Sequence, residues 1–381
     1  MNILVTGANG FLGKNLVETL KSIKDHKNNV KSLIIDNIYC YDRDNTLDEL
    51  NKYTVDCDFV INLAGINRPQ NPEEFYTGNK GFIEILCSFL KKNNNICPII
   101  ASSSIQVGKD NDYAKSKKEG EEYLHDFSKS AGNPIYIYRF ANLFGKWCKP
   151  NYNSVTATWC HNIARGLDIQ INDRNAVVSL CYIDDVINEL INCLLGNANY
   201  DILKGYYTVN PIYKITLGEL RDMLYSFNNS RNTLVIPNQK EGLEKKLYAT
   251  YLSYLQSNDF SYPLTMNKDE RGSFTEFIKT DNSGQVSVNI SKPGIVKGNH
   301  WHHTKNEKFL VVSGNGIIRF RRIGDTHVIE YKVSGEKLEV IDIPTGYTHN
   351  IENIGDTDMV TVMWANETFD SDRPDTYYEE V

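Results

Sequence analysis

The tightest restriction on the fold is a glycine triplet set directly behind an apolar run at the N-terminus. Asn2–Thr6 reads as a strand, and Lys14–Leu20 has the pattern of a helix. Between them GANGFLG places Gly7, Gly10 and Gly13. Without a Cβ, these positions permit a tight turn and let backbone N–H groups approach a pyrophosphate, while the helix N-terminus adds partial positive charge. The GxxGxxG spacing departs from the GxGxxG dinucleotide fingerprint, and such glycines can be purely structural. The strand-turn-helix context favours a cofactor turn. Gly7, Gly10, Phe11, Leu12 and Gly13 are therefore candidate cofactor contacts.

The rest of the first half repeats this grammar. Short apolar runs at Ile38–Tyr41, Asp58–Leu63, Pro98–Ser102 and Pro134–Arg139 alternate with helix-like Gly81–Leu90 and Lys115–Phe127. Such alternation predicts an α/β, doubly wound parallel sheet. After residue 262 strand-like runs follow one another with turns between, from Ser273–Ile278 to Met359–Trp364, which predicts an all-β sandwich or barrel. The 381 residues suit two domains. We expect them at 1–262 and 263–381, divided at the turn-rich SYPLTMNKDERG. The first should include a helix at Leu217–Phe227 and the tyrosine-rich Leu247–Leu255.

Composition narrows the functional classes. A net charge of −7 disfavours nucleic acid as a partner, since that affinity rests on neutralising phosphates. No apolar run reaches membrane-spanning length, and the N-terminus lacks the basic and apolar regions of a signal peptide. All eight cysteines precede residue 194 and none forms a CxxC pair. Reduced thiols and a cytoplasmic location are the expectation.

The second strand should end beside an adenosine ribose, at Asp36 or at Asp42-Arg43. IYCYDR is the better strand pattern, so Arg43 is the candidate contact for a 2′-phosphate and NADPH is preferred to NAD. A surface role for Arg43 is the plain alternative. Leu63 and Ala64 of NLAG end the third strand, where small residues admit a cofactor. Ser102-Ser103-Ser104 ends the fourth. Tyr113 and Lys117, four apart in YAKSK, share one helix face. An ammonium there favours the phenolate and would lower the tyrosine pKa. A serine hydroxyl could complete a carbonyl site.

This ordered set resembles the extended short-chain dehydrogenase/reductases, which act on nucleotide sugars. The resemblance spans roughly residues 1–240. It implies Tyr113 as proton donor, Lys117 as its activator and ribose anchor, and a serine as carbonyl partner. Ser104 is chosen by counting back from Ile105-Gln106-Val107, with Ser103 next. Within Arg139-Phe140-Ala141-Asn142, Asn142 corresponds to the family's substrate-side asparagine. Two departures are local: VYG is shortened to Val107-Gly108, and Asn111-Asp112-Tyr113-Ala114 replaces NPYG. Arg165 and Arg174 could hold a diphosphate, although exposed arginines are commonly just that.

Five of the eight histidines lie in the last 119 residues. His300 and His302, two apart, would share one face of a strand. Glu307 and His349 follow, and three imidazoles with one carboxylate can surround a divalent cation such as Zn2+. The stretch resembles the cupin family. Gly294, His300, His302, Glu307 and Gly314 match its first motif; Pro344, Gly346, His349 and Asn353 match the second. The resemblance implies a small jelly-roll domain with the metal inside. His303, on the opposite face by parity, and His327 are expected to be non-ligands.

The stretches FGKWCKPNYNSV, DERGSFTEFIKT and KGNHWHHTKNEKFLVVSG extend the resemblance over the whole chain, to capsular polysaccharide biosynthesis enzymes that fuse the two domains. It implies a homodimer using NADPH and zinc on a UDP-linked 4-keto-6-deoxy amino sugar. The cupin would epimerise C3 and the reductase would reduce C4. The product would be UDP-N-acetyl-L-talosamine, on the route to UDP-N-acetyl-L-fucosamine. A 4-ketone acidifies the C3 hydrogen, so one carbonyl serves both steps. His302, Lys308, Asp269, Glu276 and Tyr347 remain open as movers of the C3 proton. The alternatives are a reductase with a non-catalytic sugar-binding or dimerisation cupin, or a non-enzymatic NADP sensor, against which Tyr113 and Lys117 speak.

Overall fold

Strands buried on both faces read as near-continuous apolar runs, as Ile3–Val5, Phe59–Ile61 and Ile99–Ala101 do, all of them buried. The computed structural model describes residues 1–28, 30, 32–372 and 374–381. In it β1 (Asn2–Thr6), β2 (Asn37–Tyr41), β3 (Phe59–Asn62), β4 (Ile99–Ser104) and β5 (Ile135–Phe140) run parallel in the order β2-β1-β3-β4-β5. Helices α1 (Phe11–Lys24), α2 (Leu47–Tyr53), α3 (Glu73–Tyr76), α4 (Phe82–Lys92) and α5 (Asp112–Ala131) connect them, with a π-helical turn at Thr77–Gly81. Later come α6 (Val155–Ile163), α7 (Ile183–Leu194), α8 (Leu217–Thr233) and α9 (Leu243–Leu252).

Strand alternation sorts the helices between two faces. Ile3 and Val5 cluster with Leu16 and Leu20 of α1 and Leu190 of α7. Leu4 points the other way, to a cluster holding Leu50 of α2, Leu86 of α4 and Leu124 of α5. Each such side chain, fully withdrawn from water, contributes about 1.5–3 kcal/mol. The strand order reverses between β1 and β3, and the crevice outside their carboxyl ends is where open α/β sheets bind ligands.

Strands β6 (Asn142–Phe144), β7 (Val177–Tyr182), β8 (Tyr200–Asp201), β9 (Tyr206–Tyr207) and β10 (Tyr213–Thr216) complete this part. β9 and β8 extend the main sheet, and β10-β7-β6 form a small separate one. By its internal contacts this unit comprises residues 1–224 and 246–255.

The second unit comprises residues 225–245 and 256–381. Its strands are β11 (Asn267–Asp269), β12 (Gly272–Thr280), β13 (Gly284–Ser291), β14 (Val296–Trp301), β15 (Glu307–Ser313) and β16 (Asn315–Arg322). Then follow β17 (Val328–Ser334), β18 (Val340–Ile343), β19 (Tyr347–Asn353), β20 (Met359–Ala365) and β21 (Tyr377–Tyr378). They form two antiparallel sheets, β11-β12-β13-β20-β15-β18 and β17-β16-β19-β14-β21. Phe309 and Val311 of one sheet and Ile318, Phe320 and Ile351 of the other share one core.

One expectation changes here. The strand anticipated across both His300 and His302 ends at Trp301. A bulge between Gly298 and His300, with Asn299 at φ +57°, shifts the register against β19. His300 remains in the ladder opposite His349, while His302 follows in the loop. A bulge adds a residue to one strand and re-aims what comes after it. Among the described residues no helix is long and apolar enough to cross a membrane.

Candidate functional sites

In the first unit the glycine turn is cut to the backbone around it. Gly7 has φ +67°, and a Cβ there would lie 2.8 Å from the Ala64 nitrogen and the Leu63 carbonyl carbon. A Cβ on Gly13 would meet the Gly7 oxygen at 2.1 Å. Gly10 caps α1 without a side-chain bond, and the first turn holds no acidic residue. Helix geometry therefore leaves the N–H groups of Phe11, Leu12 and Gly13 without intrahelical acceptors. This is a cradle for an anion, and a dinucleotide pyrophosphate fits it. Leu63 and Ala64 form its floor, tied to β1 by Leu63 N–H donating to the Thr6 carbonyl at 3.1 Å.

Of the two registers for β2, the structure has the strand end at Tyr41, so Asp42 and Arg43 follow it. Asp36 precedes the strand and pairs with the N-terminal ammonium. The Asp42 carboxylate accepts from the N–H groups of Asn9 at 2.7 Å and Arg43 at 2.8 Å. Arg43 is exposed.

The carbonyl-type site stands where β4 meets α5. Asn111 caps α5 by accepting from the Ala114 N–H at 2.9 Å, and Tyr113 occupies the first turn. Burial raises the Tyr113 pKa above its ordinary value, and a hydrogen bond from Ser104 opposes that. The expected lowering by a neighbouring ammonium does not appear among these influences: burial sets the direction, and Ser104 is what opposes it. Lys117, one turn on, donates to the Ser102 carbonyl at 3.3 Å. Burial lowers its pKa to about 8 against the opposing charge of Glu121.

The structure also separates the two serines. Ser103 donates to Glu121 Oε1 at 2.5 Å, whereas Ser104 stands beside Tyr113. Glu121 further accepts from Arg139 Nε at 2.9 Å and Nη2 at 2.5 Å. This buried network was not singled out in the sequence, although Glu121 continues the spacing of Tyr113 and Lys117 along one helix face.

Asn142 donates to the Ser179 carbonyl at 3.0 Å, and Arg174 pairs with Asp222 at 2.7 Å, both at exposed positions. Among the described residues no hydrogen bond or ion pair joins either to Ser104, Tyr113 or Lys117. Arg165 donates to the carbonyls of His161 and Tyr254.

In the second unit His300, His302, Glu307 and His349 converge, with one donor atom from each lying within 4.8 Å of the others. Nε2 of His302 and Nε2 of His349 each lie 3.4 Å from Glu307 Oε2. His349 is buried, yet neither ring nitrogen has a hydrogen-bond partner. Burial, reinforced by the neighbouring imidazoles, lowers the His300 pKa to about 4, so its ring is neutral near pH 7. Burial alone would raise the Glu307 carboxyl. His302, His349 and Lys305, whose ammonium lies 3.7 Å away, outweigh it and hold the group below the usual carboxylate range. Three imidazoles, one of them with both nitrogens unpartnered, and a carboxylate held ionised form a donor set that fits a divalent cation.

His303 and His327 stand outside this group; both are exposed, and His303 meets the rings of Trp301 and Tyr377. Of the open proton movers, Lys308 pairs with Asp342, Asp269 with Arg271 and Glu276 with Lys279. Lys305 and Asp375, which lie against the ligand set, went unremarked in the sequence.

Residues 3–201 match the NAD dependent epimerase/dehydratase family, and 267–377 match the polysaccharide biosynthesis C-terminal domain. The chain is 42% identical over 377 residues to a UDP-2-acetamido-2,6-beta-L-arabino-hexul-4-ose reductase of Pseudomonas aeruginosa, covering 99% of this chain and 98% of that protein. It is 54% identical to the capsular polysaccharide assembling protein CapF of Staphylococcus aureus, with a TM-score of 0.91 and complete coverage of both chains.

Proposed function

We propose a function from one premise: the chain belongs to the NAD dependent epimerase/dehydratase family, and within it to the CapF type with a polysaccharide biosynthesis C-terminal domain. It is an enzyme that reduces the 4-ketone of a UDP-linked 2-acetamido-2,6-dideoxy sugar for surface-polysaccharide synthesis. The P. aeruginosa relative, a reductase by name, supports the substrate class. In the finer reading the cupin first epimerises C3, and the reductase then gives UDP-N-acetyl-L-talosamine. The observation that carries this two-step reading is the convergence of His300, His302, Glu307 and His349, which a reductase alone does not require.

A reduced nicotinamide, when bound, supplies the hydride. The chain's own part is to present Tyr113 O–H to the carbonyl oxygen, where it gives up a proton as negative charge develops. Ser104 hydrogen-bonds the same oxygen and orients it. Lys117 holds the cofactor ribose and supplies positive charge near the phenolate. NADPH is favoured over NADH because both oxygens of Asp42 are engaged by backbone N–H groups while Arg43 remains exposed.

In the second unit a divalent cation, zinc by choice, would polarise an oxygen next to C3. His300, His302, Glu307 and His349 would hold it. The CapF relationship also suggests a homodimer. The direct test is incubation with NADPH and the UDP-linked 4-ketosugar, with products identified by NMR. An L-talo product supports the reading. Reduction with C3 unchanged would leave a reductase whose cupin is a binding module.

A further inference from the structure

His302 is held by the far end of the chain. Its Nδ1 lies 2.6 Å from the backbone carbonyl oxygen of Asp375, so Nδ1–H donates there and Nε2 is left with its lone pair. The side chain of Asp375 fastens the same loop from the other side. Its Oδ1 accepts from the His303 N–H at 3.0 Å. Its Oδ2 accepts from the N–H groups of Thr304 and Lys305, each at 2.8 Å, and from the Thr304 hydroxyl at 3.0 Å. Asp375 has φ +38°, a conformation that aspartate tolerates better than most residues. The tail beyond it is also anchored: Tyr377 and Tyr378 pair with Trp301 and His300 of β14, and Arg321 bonds Glu379 at 2.9 Å.

We infer that Asp375 is a positioning residue for the cation site. Its carboxylate locks loop 303–305 to the C-terminal segment, and its carbonyl thereby sets the tautomer and orientation of His302. Three ligands come from β14, β15 and β19, whose ladders already fix them. His302 lies outside its strand, and the Asp375 carbonyl is what holds its Nδ1. A metal-bound histidine whose second nitrogen loses its acceptor costs about 10- to 100-fold in metal affinity. This inference rests on the reading of His300, His302, Glu307 and His349 as a cation site.

The test is competition between a chromophoric chelator and the full-length protein for Zn2+, using wild type, Asp375→Gly, Asp375→Asn and the His300→Ala/His302→Ala double variant. Glycine keeps the positive φ and removes only the carboxylate, and asparagine keeps one acceptor oxygen. Expected is a loss of about 10- to 100-fold in affinity for Asp375→Gly and a smaller loss for Asp375→Asn. The zinc-induced rise in Tm should shrink in the same order. If wild type takes up no more zinc than the double variant, the cation reading itself fails. If wild type binds and Asp375→Gly matches it, the positioning role fails. A fall in Tm that is equal with and without zinc also overturns it, since that marks a purely structural part.

Discussion

Burial opposes the positive charge on Lys117, and that conflict has a measurable sign. The folded lysine titrates near 8 and its ordinary value is 10.5, so between these the unfolded chain binds more protons and stability rises with pH. Lys117→Met removes this contribution. The difference in urea midpoint between wild type and variant should move in favour of wild type from pH 8 to 10.5. A difference that stays flat with pH contradicts the assignment. Arg43→Ala should weaken NADPH and leave NADH unchanged, read as separate KM values; equal loss for both would make Arg43 a surface charge. At the ligand set, elemental analysis of His300→Ala/His302→Ala protein should show the zinc gone, and a full retained equivalent would exclude those two as essential ligands. Residue types and spacing made Tyr113, Lys117 and the four ligand candidates visible in the sequence. The partition of Ser103 and Ser104 was not visible, because it depends on Glu121 reaching back from α5 to β4.

Among the elements, α5 carries the most. Its cap Asn111, the first-turn Tyr113, and then Lys117 and Glu121 lie along one helix. Asn111→Ala should cost about 1 kcal/mol, the usual value of a lost N-cap. Glu121→Ala should cost more, about 3 kcal/mol or above, because it leaves the half-buried Arg139 guanidinium without its partner. Urea denaturation would rank them, and the reverse order would show that the Glu121–Arg139 pair does not organise the junction of β4 and α5. The parallel strands were legible because both faces are apolar. β19 carries a weak strand signal, since Thr348, His349 and Asn350 are buried polar residues that break the apolar alternation. β21 is two tyrosines in a polar tail, and only its pairing with β14 identifies it.

On the scale of the whole molecule, segment 225–245 packs with the second unit and 246–255 with the first. This interleaving has no signature in composition. The account's central claim is that two chemistries act on one ketosugar, each with its own residues. The most direct measurement is NMR of deuterium at C3 when Tyr113→Phe protein is incubated with the UDP-linked 4-ketosugar in D2O without NADPH. The account predicts deuterium incorporation at C3 by Tyr113→Phe, none by His300→Ala/His302→Ala, and no reduction by Tyr113→Phe when NADPH is added. Normal reduction by Tyr113→Phe, or no exchange by wild-type protein that carries its metal, would contradict it.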